Sequence, residues 1–249
     1  MTEVHDFTVH MPAASEARLD QDSEWCEVET SEGRRRIRFH DYAEIYAIPG
    51  LYERLFYDEL RCDSPRTLRG LLEGVLRDED TDPSSLVVLD LGSGNGMMGE
   101  ELAAIGAGEI VGMDILPEAL EAAERDRPGV YDDYRVVDLT DDTQSTEDAL
   151  AAAPFNCLTS VAALGFGDIP PEAFQRALDA VADDGLVVFT IRDRFLEDTD
   201  ETGFSALIAD KLETGALEPL VEHRYRHRMS TAGEPLSYLA FVARKRGEG

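Results

Sequence analysis

The sequence predicts an α/β fold in which a parallel sheet is covered on both faces and ends in an antiparallel hairpin. Short, continuously apolar segments alternate with helical segments between about residues 86 and 192, as parallel strands buried on both faces require. Pro117 and Pro171 each stand at the first position of a predicted helix. Two long extended segments close the chain, and Thr231-Ala232-Gly233-Glu234 forms the turn between them.

The predicted elements follow one another in a regular order. A helix begins near Ser64 and runs to about Asp78. Strands are then predicted at 86–92, 109–115, 134–140, 155–164 and 186–192. Helices are predicted at 99–107, 117–126, 171–182 and 204–216. The two final extended segments, 217–230 and 235–246, form the hairpin.

The N-terminal quarter differs in character from the rest of the chain. Residues 1–63 are interpreted as an N-terminal arm and a helical lid over the substrate pocket, and residues 64–249 as the main domain. The first 35 residues or so are polar and acidic, which predicts a loose arm or an edge hairpin. Residues 41–60 carry aromatic and apolar side chains at helical spacing, and Pro49-Gly50 is expected to split them into two short helices.

The charge of the chain restricts its partners. Its 249 residues carry 23 Lys and Arg against 52 Asp and Glu, a formal net charge of −29. This surface repels phosphates, so nucleic acid is not an expected substrate. Only Lys211 and Lys245 are lysines. The acidic, lysine-poor composition suits a protein that works in concentrated salt, although a GC-rich genome would also exchange lysine for arginine.

Several features bear on the compartment. No run of eighteen apolar residues is present, so no membrane span is expected. The N-terminus is acidic and lacks an apolar core segment, unlike a secretory signal. Cys26, Cys62 and Cys157 lie far apart, which favours a reducing compartment and argues against a disulfide framework or a metal site. We therefore expect a cytoplasmic protein that acts as a monomer or a homodimer.

The glycine-dense stretch LDLGSGNGMMG, residues 89–99, indicates a ligand loop between a strand and a helix. Gly92, Gly94 and Gly96 allow positive φ angles and close approach of a ligand to the backbone. The helix that begins near Met97 offers unpaired N–H groups to an anion. The stretch also satisfies the dinucleotide pattern G-x-G-x-x-G, which by itself is weak support.

Asp90 decides between two classes of ligand for this loop. It stands at the end of the first strand of the sheet, two residues before the first glycine of the loop. A carboxylate there would repel a pyrophosphate and attract a cationic amino group, which favours S-adenosyl-L-methionine over NAD. The loop also follows some 85 residues, whereas dinucleotide domains often begin close to their first strand. The alternative is that Asp90 is an exposed acid or caps the loop.

Acids also follow the next two strands. Asp114 lies twenty residues after Gly94, where a carboxylate can accept both ribose hydroxyls of a nucleoside; the alternative is a turn-forming Asp before Pro117. Asp138 can accept the adenine amino group while the N–H of Leu139 meets a ring nitrogen. The alternative for this pair is an ordinary acidic loop.

With these residues in place, the chain resembles the class I S-adenosylmethionine-dependent methyltransferases, through VLDLGSGNG, VGMDILPEAL, VVDLT, FNCLTSVAALGFGDIPPEAF and DDGLVVFTIR. Within them it is similar to the Williams–Beuren-type methyltransferase-like subgroup. The resemblance implies a Rossmann-like three-layer α/β/α sandwich with a seven-stranded, mostly parallel sheet, and makes 64–249 the methyltransferase domain. The predicted cofactor site comprises Asp90, Gly92, Ser93, Gly94, Gly96, Met97, Asp114, Ile115, Asp138, Leu139, Ser160 and Tyr46, without a metal ion.

One residue departs from the family pattern. The fourth strand of these enzymes often carries an acid near its start, and here that position is Asn156. An enzyme that needs an acid there to hold an amine would be impaired. This departure argues against amino or amide nitrogen acceptors.

The candidate catalytic residues lie in the N-terminal segment. His40, beside Asp41, could act as a general base; the alternative is a helix cap or a surface residue. Tyr42 and Tyr46 lie on one helical face, where an aromatic ring near a sulfonium gains about 0.5–2 kcal/mol of cation–π attraction. The alternative for both tyrosines is core packing.

The sequence therefore predicts a methyltransferase that acts on a small molecule, with two alternatives. One is an NAD-type oxidoreductase; the other is a non-catalytic S-adenosylmethionine-binding protein that acts through its acidic surface. A basic peptide is a further acceptor that this surface would attract. Arg192 and Arg194 follow the fifth strand and could bind an acidic substrate, unless they pair with Asp193 or Asp198.

Overall fold

The computed structural model describes residues 7–13, 16, 19–196 and 200–247. The described part includes most of the predicted arm from residue 7 onward. Residues 1–6 of that arm and Asp198 lie outside it. The chain divides into two compact units. The first comprises Met1–Asp63 and Arg226–Leu236, and the second comprises Ser64–Tyr225 and Ser237–Gly249.

The first unit contains a three-stranded antiparallel sheet. Its strands are β1 (Thr8–His10), β2 (Trp25–Thr30) and β3 (Gly33–Arg38), in the order β1-β2-β3. The β2–β3 pair realises the hairpin alternative of the sequence prediction, and β1 adds a strand that was not predicted. In β2 the alternate residues Cys26 and Val28 are buried, and in β3 Ile37 is buried, because one face of the sheet covers a small apolar core.

Two short helices complete this core. Helix α1 (Tyr42–Tyr46) and a π-helical segment (Glu53–Glu59) lie on either side of Pro49-Gly50, so the predicted break is confirmed. Their side chains pack with those of the hairpin, and the fully buried members of the cluster are Cys26, Val28, Ile37, Phe39, Ile45, Leu51 and Leu55.

A buried ion pair ties together the two chain segments of the first unit. Arg228 donates to a Glu24 carboxylate oxygen at 2.6 Å, and these side chains are 3% and 0% exposed. The other Glu24 oxygen accepts from the Thr231 backbone N–H at 2.6 Å and from its hydroxyl at 3.0 Å. The buried carboxylate is thus satisfied by three donors, as a charge removed from water requires.

The second unit contains the predicted seven-stranded sheet. Its strands are β4 (Val87–Leu91), β5 (Glu109–Asp114), β6 (Asp133–Val136), β7 (Cys157–Ser160), β8 (Leu186–Arg192), β9 (Leu217–Met229) and β10 (Pro235–Lys245). Their order is β6-β5-β4-β7-β8-β10-β9, and the tips of β9 and β10 fall within the first unit's residue ranges. Strands β4 to β8 pair in parallel, whereas β10 pairs antiparallel with β8. The predicted fold class is confirmed.

Helices cover both faces of this sheet. They are α2 (Ser64–Asp78), α3 (Met97–Ile105), α4 (Pro117–Asp126), α5 (Gln144–Leu150), α6 (Pro171–Asp179) and α7 (Phe204–Glu213). Successive residues of β4 pack in different clusters: Val88 packs with Leu72 and Leu102 of α2 and α3, and Leu89 packs with Phe174 of α6. This alternation explains why the strands are continuously apolar in sequence.

Several elements of the second unit differ from the sequence prediction, among them strand β7, which spans Cys157–Ser160 instead of 155–164. Helix α5 was not predicted, because only two of its seven residues are buried and it gives almost no apolar periodicity. Its N-cap is Thr143, whose hydroxyl accepts from the Thr146 N–H. Strand β6 ends at Val136 instead of continuing to residue 140, so Asp138 and Leu139 lie beyond the strand.

Three further properties concern the described residues as a group. None of the helices among them is long and apolar enough to cross a membrane. They contain no group of three or more His, Cys, Asp or Glu side chains arranged to hold a metal ion. Cys26, Cys62 and Cys157 form no disulfide with one another.

Candidate functional site

The ends of the parallel strands bring most of the predicted site residues to one edge of the sheet. Asp90 of β4 pairs in register with Gly112 of β5 and with Thr159 of β7. Asp114, two residues further along β5, pairs with Val136 of β6. Because the carboxyl ends of parallel strands meet at the same edge, this edge is where ligands of open α/β sheets bind.

The glycine loop that follows β4 has the backbone conformation predicted for it. Gly92, Gly94 and Gly96 have φ angles of 70°, 53° and 89°, and α3 begins directly after them at Met97. Ser93 is buried and its hydroxyl donates to the Asp90 carbonyl oxygen at 2.6 Å, which fixes the start of the turn. The positive φ values explain why glycine is needed at these positions.

The space beside two of these glycines is occupied by the protein itself. A Cβ at Gly92 would lie 2.7 Å from the Ile169 side chain and 2.9 Å from that of Ala163. A Cβ at Gly96 would lie 3.3 Å from the side chains of Arg127 and Tyr131. At these two positions, side chains of the protein itself fill the space that a Cβ would need. The contacts of Gly92, Gly94 and Gly96 with a cofactor stay predictions.

Asp90 is fully enclosed. Its side chain is 1% exposed and accepts hydrogen bonds from the Tyr131 hydroxyl at 2.7 Å and from the Thr159 hydroxyl at 2.5 Å. Burial raises the pKa of this carboxyl to about 6, although the two hydroxyl donors act in the opposite direction. The alternative that Asp90 is an exposed surface acid is excluded, and a buried negative charge lies directly beneath the glycine loop.

Two tyrosines that the sequence reasoning did not assign to the site hold the loop. Tyr131 contacts Asp90, and Tyr134 donates its hydroxyl proton to the Gly94 carbonyl oxygen at 2.8 Å. A Cβ at Gly99 would lie 2.7 Å from the Tyr131 ring, and one at Gly112 would lie 2.8 Å from the Tyr134 ring. The only hint of these tyrosines in the sequence was therefore the presence of Gly99 inside α3 and Gly112 inside β5, since a glycine in such a position often marks the close approach of a bulky group.

Asp114 links the glycine loop to the end of β5. One carboxylate oxygen accepts from the Gly94 N–H at 2.9 Å, and the other accepts from the Leu116 N–H at 3.0 Å. Burial raises the pKa of Asp114. The turn-forming role weighed in the sequence analysis is thus real. A carboxylate has about four lone-pair sites, so these two bonds leave capacity for further donors.

Two exposed apolar side chains flank Asp114, and we refer to them together as the apolar platform. Ile115 is 54% exposed and Val136 is 41% exposed, although both are large aliphatic side chains. They follow or pair with Asp114 at the ends of the adjacent strands β5 and β6. Among the described residues, only Leu212 is another exposed hydrophobic of this kind. Exposed apolar surface at a ligand-binding edge is typical of a site for a flat, apolar group.

The remaining two predicted adenine contacts lie in a turn. Asp138 accepts at 2.8 Å from the Thr140 N–H and at 2.7 Å from its hydroxyl, which is the acidic-loop alternative of the sequence analysis. The Leu139 side chain is 3% exposed and belongs to the core. Arg176 donates to the Leu139 carbonyl oxygen at 3.0 Å and holds the turn. A contact of Leu139 with a ligand can only involve its backbone.

Ser160 supplies an unsatisfied polar group at the end of β7. Its side chain is fully buried, and within the described ranges its hydroxyl has no hydrogen-bond partner. Buried hydroxyls are ordinarily paired, so an orphan at the ligand-binding edge fits a site that is completed by a ligand atom. Together with the conformation of the glycine loop, the Asp114 carboxylate and the apolar platform, Ser160 makes this edge suitable for a nucleoside that carries a polar tail.

Comparison with protein families decides the type of enzyme. A family model described as a methyltransferase domain matches residues 63–233, more than half of the chain. The chain belongs to this methyltransferase family. It is therefore an enzyme that methylates, and the family match is to the general domain rather than to the Williams–Beuren-type subgroup. No curated relative matches the sequence.

Solved structures with the same fold include several methyltransferases. The N-methyltransferase NodS from Bradyrhizobium japonicum WM9, solved with S-adenosyl-L-homocysteine, has a TM-score of 0.56 at 16% identity, with 84% of this chain and 98% of that chain covered. Magnesium protoporphyrin IX methyltransferase from Synechocystis PCC 6803, solved with S-adenosylmethionine, has a TM-score of 0.50 at 14% identity, with 73% and 79% covered. A proposed RNA methyltransferase from Pyrococcus horikoshii has a TM-score of 0.53 at 14% identity, with 74% and 83% covered. At these identities they show the fold.

The identity of residue 156, an asparagine, does not indicate which acceptor the methyltransferase uses. The residue precedes β7, at the amino end of the parallel strands. Its side-chain oxygen accepts from the Val87 N–H at 2.8 Å, and its amide donates to the Ser85 carbonyl oxygen at 2.9 Å. The argument against nitrogen acceptors was therefore wrong, because this side chain joins two strand starts at the edge of the sheet opposite the site.

The three predicted residues of the N-terminal segment lie in the first unit of the methyltransferase. The ring centroids of His40 and Tyr42 are 5.8 Å apart, and those of Tyr42 and Tyr46 are 6.0 Å apart. Tyr46 is 6% exposed, and its ring also packs 5.2 Å from that of Tyr52. These contacts realise the core-packing alternative for the two tyrosines. Their roles toward the cofactor and the acceptor, and that of His40, stay predictions.

Proposed function

We propose that this methyltransferase transfers a methyl group from S-adenosyl-L-methionine to a small-molecule acceptor by in-line displacement. The observation that carries the proposal is the exposed apolar platform of Ile115 and Val136 beside the Asp114 carboxylate. An adenosine needs this combination, because its base requires an apolar surface and its ribose requires hydrogen-bond acceptors. The two neighbours of the same fold that contain S-adenosylhomocysteine or S-adenosylmethionine support the identity of the cofactor.

The charge beneath the glycine loop favours this cofactor over NAD. Asp90 is buried there, so its field is less screened than that of a surface acid. A diphosphate over the loop would be repelled by this carboxylate, whereas the ammonium group of S-adenosylmethionine would be attracted. This contrast is the physical argument against the NAD-type oxidoreductase alternative.

Each residue of the proposed site has one task. Asp114 accepts ribose hydroxyls with the lone pairs that its two backbone bonds leave free. Ile115 and Val136 support the face of the base, and the Asp138-Leu139 turn lies at its edge. The buried Ser160 hydroxyl and the charge of Asp90 hold the polar amino-acid end.

The chemical demands on the protein are modest. When bound, S-adenosylmethionine supplies a methyl group activated by a sulfonium leaving group. The chain has to hold the acceptor in line with that group and exclude water, and such alignment can supply about 7–11 kcal/mol of the barrier. His40 and Tyr42 are the proposed base and positioning residues. A general base is needed only for acceptors that must lose a proton.

The small size of the acceptor is argued from charge. With a net charge of −29, the protein as a whole repels RNA and DNA. One neighbour of the same fold is a proposed RNA methyltransferase, so RNA belongs in the test. We also propose that the chain belongs to the Williams–Beuren-type subgroup, because it resembles that subgroup in the motif that ends in the first turn of α4.

The proposal is tested by calorimetry with S-adenosylmethionine, S-adenosylhomocysteine and NAD, followed by transfer of a labelled methyl group to panels of small molecules, basic peptides and RNA. We expect binding of the first two ligands only, and label on a small molecule. Binding of NAD alone would overturn the cofactor assignment, and label on RNA or peptide would overturn the acceptor class.

A matched pair of variants tests the platform itself. Replacing Ile115 with Asn removes exposed apolar surface at the site, and replacing Leu212 with Asn removes it from α7, where Leu212 is 38% exposed. We expect at least a tenfold loss of S-adenosylhomocysteine affinity for Ile115→Asn and none for Leu212→Asn. Equal affinities for both variants would remove the observation on which the proposal rests.

A further inference from the structure

We propose that Arg194, whose guanidinium carbon lies over the Phe166 ring, binds a carboxylate group of the methyl acceptor. The inference rests on the proposed function and specifies its substrate class. Strand β8 ends at Arg192, and it runs parallel to β7 and β4. Arg194 therefore follows the carboxyl end of a strand at the edge that carries the proposed cofactor site.

The loop after β7 connects Arg194 to the cofactor loop. Ile169 and Ala163 of this loop fill the space beside Gly92, where a Cβ would meet them at 2.7 and 2.9 Å. Phe166 of the same loop packs edge-on against Phe195, with ring centroids 4.8 Å apart. The loop thus touches the cofactor-binding turn at one end and the Arg194 segment at the other, as an acceptor subsite must.

The guanidinium group of Arg194 is held over two aromatic rings. It lies 4.5 Å from the centroid of Phe166 and 4.8 Å from that of Phe195. The two rings are nearly perpendicular to each other, so they contact the cation from two directions. Cation–π attraction of this kind holds the guanidinium group in place, and its N–H groups that do not face the rings remain available as donors. These donors match the two oxygens of a carboxylate in a bidentate arrangement.

Among the described residues, Arg194 has no ion-pair partner. In the part of the chain that the structure describes, no carboxylate lies within 4.0 Å of the side chains of Arg192 or Arg194. Of the two partners considered in the sequence analysis, Asp193 is paired instead with Arg224 at 2.5 Å, and Asp198 lies outside the described residues. In a protein with 52 acidic residues against 23 basic ones, an arginine that pairs with none of the described carboxylates at a ligand-binding edge points to an external anion.

The backbone of the loop is strained in a way that serves this arrangement. Ala162 and Phe166, which are not glycines, have φ angles of 58° and 54°, and the glycines that flank Phe166 have φ angles of 92° and 86°. A Cβ at Gly165 would lie 2.4 Å from the Phe195 ring. Left-handed conformations at ordinary residues persist where the surroundings enforce them, often at ligand sites. Here they place Phe166 beneath Arg194.

The overall charge explains why a dedicated cation would be needed. An acceptor with a carboxylate is repelled by the field of a protein with a net charge of −29. An arginine held in this way supplies a local attraction strong enough to bind such a molecule and to orient it by two hydrogen bonds. A neutral acceptor would require no such residue, and this difference makes the inference testable.

The test uses sodium benzoate as the carboxylate probe and benzyl alcohol as its neutral counterpart. Affinities are measured by ligand-observed NMR at constant ionic strength, with and without saturating S-adenosylhomocysteine. The proteins are the wild type, Arg194→Gln and the control Arg77→Gln, whose arginine is 77% exposed on α2. We expect benzoate to bind at least tenfold more tightly than benzyl alcohol, and this preference to be lost only in Arg194→Gln.

The readouts separate the inference from the proposed function. S-adenosylhomocysteine affinity and the melting temperature of Arg194→Gln are expected to stay within twofold and within a degree or two of the wild type. Equal binding of the two probes to the wild type, or a benzoate preference that survives in Arg194→Gln, would overturn the carboxylate site. Failure of the wild type to bind S-adenosylhomocysteine would instead contradict the proposed function. The comparison of benzoate with benzyl alcohol in the absence of S-adenosylhomocysteine would still test the carboxylate site.

Discussion

Replacing Asp90 with Asn tests the buried charge beneath the glycine loop. Burial raises the pKa of this carboxyl from 3.8 to about 6. Between these values, the folded state keeps a proton that the unfolded state has released, so its stabilising contribution is present below pH 3.8 and is lost as the pH rises through 6. A difference of roughly two pH units corresponds to about 3 kcal/mol.

Asparagine does not ionise, so the variant lacks this pH-dependent loss. We expect the free energy of unfolding of Asp90→Asn, relative to the wild type, to increase by about 3 kcal/mol as the pH rises from about 4 to above 6, and then to level off. The hydroxyls of Tyr131 and Thr159 have different bonds to an amide, which adds an offset that does not depend on pH. The assay is urea unfolding followed by circular dichroism across this pH range at constant ionic strength.

A control and a refuting result are available for this variant. Asp78, whose side chain is 78% exposed, is replaced with Asn as a carboxyl that is not buried, and its stability difference is expected to stay flat with pH. If the curve for Asp90→Asn is also flat, then Asp90 has an ordinary pKa in the folded protein, and the argument from a buried charge fails.

The same variant tests the electrostatic role in cofactor binding. In the wild type, we expect S-adenosylhomocysteine affinity to fall as the pH drops below about 6, by up to tenfold per pH unit, because Asp90 becomes neutral. In Asp90→Asn, we expect weaker affinity without this dependence. Equal affinities of the two proteins at pH 8, measured by calorimetry, would show that the carboxylate does not attract the ammonium group.

Three further variants extend these tests. Asp114→Ala is expected to weaken S-adenosylhomocysteine binding at least tenfold in calorimetry and to cost about 1–3 kcal/mol of stability, because the Gly94 and Leu116 N–H groups lose their acceptor; unchanged affinity would contradict the ribose assignment. Gly94→Val is expected to abolish binding, since a β-branched residue is strained at a φ of 53°, and normal binding would show that the loop has another purpose. Arg228→Met leaves the Glu24 carboxylate buried without its ion partner and is expected to cost about 3–5 kcal/mol in denaturant unfolding; a loss below 1 kcal/mol would mean that Glu24 is not buried.

The order and type of the central elements could be predicted from local sequence. Pro117 and Pro171 begin α4 and α6 as predicted, because proline at the first helical position needs no hydrogen-bond partner for its nitrogen. The hairpin turn at 231–234 was located by its turn residues. Elements with weak local signals were missed, such as α5, or were given the wrong end, such as β6.

The candidate site was predictable only in part. The sequence placed Asp114 and Ile115 at the end of a strand, and the structure shows one bonded to the glycine loop and the other exposed. The sequence reasoning assigned a substrate role to the position of Asn156, whereas the structure shows a link between strand starts. A substrate role requires that the residue lie at the end of the strand that faces the site. The local sequence pattern shows at which end a residue lies only when the strand boundaries are known.

The sequence alone determined most of the segments that form strands and helices, and it determined that acids stand at the ends of three consecutive predicted strands, because both properties depend on residues close together in the chain. The tertiary structure decided the environment of each acid. Tyr131 reaches Asp90 from 41 residues away, and Thr159 does so from 69 residues away. Whether a carboxylate is open, capped or buried depends on such distant partners, and it is this environment that sets its pKa and its effect on a ligand.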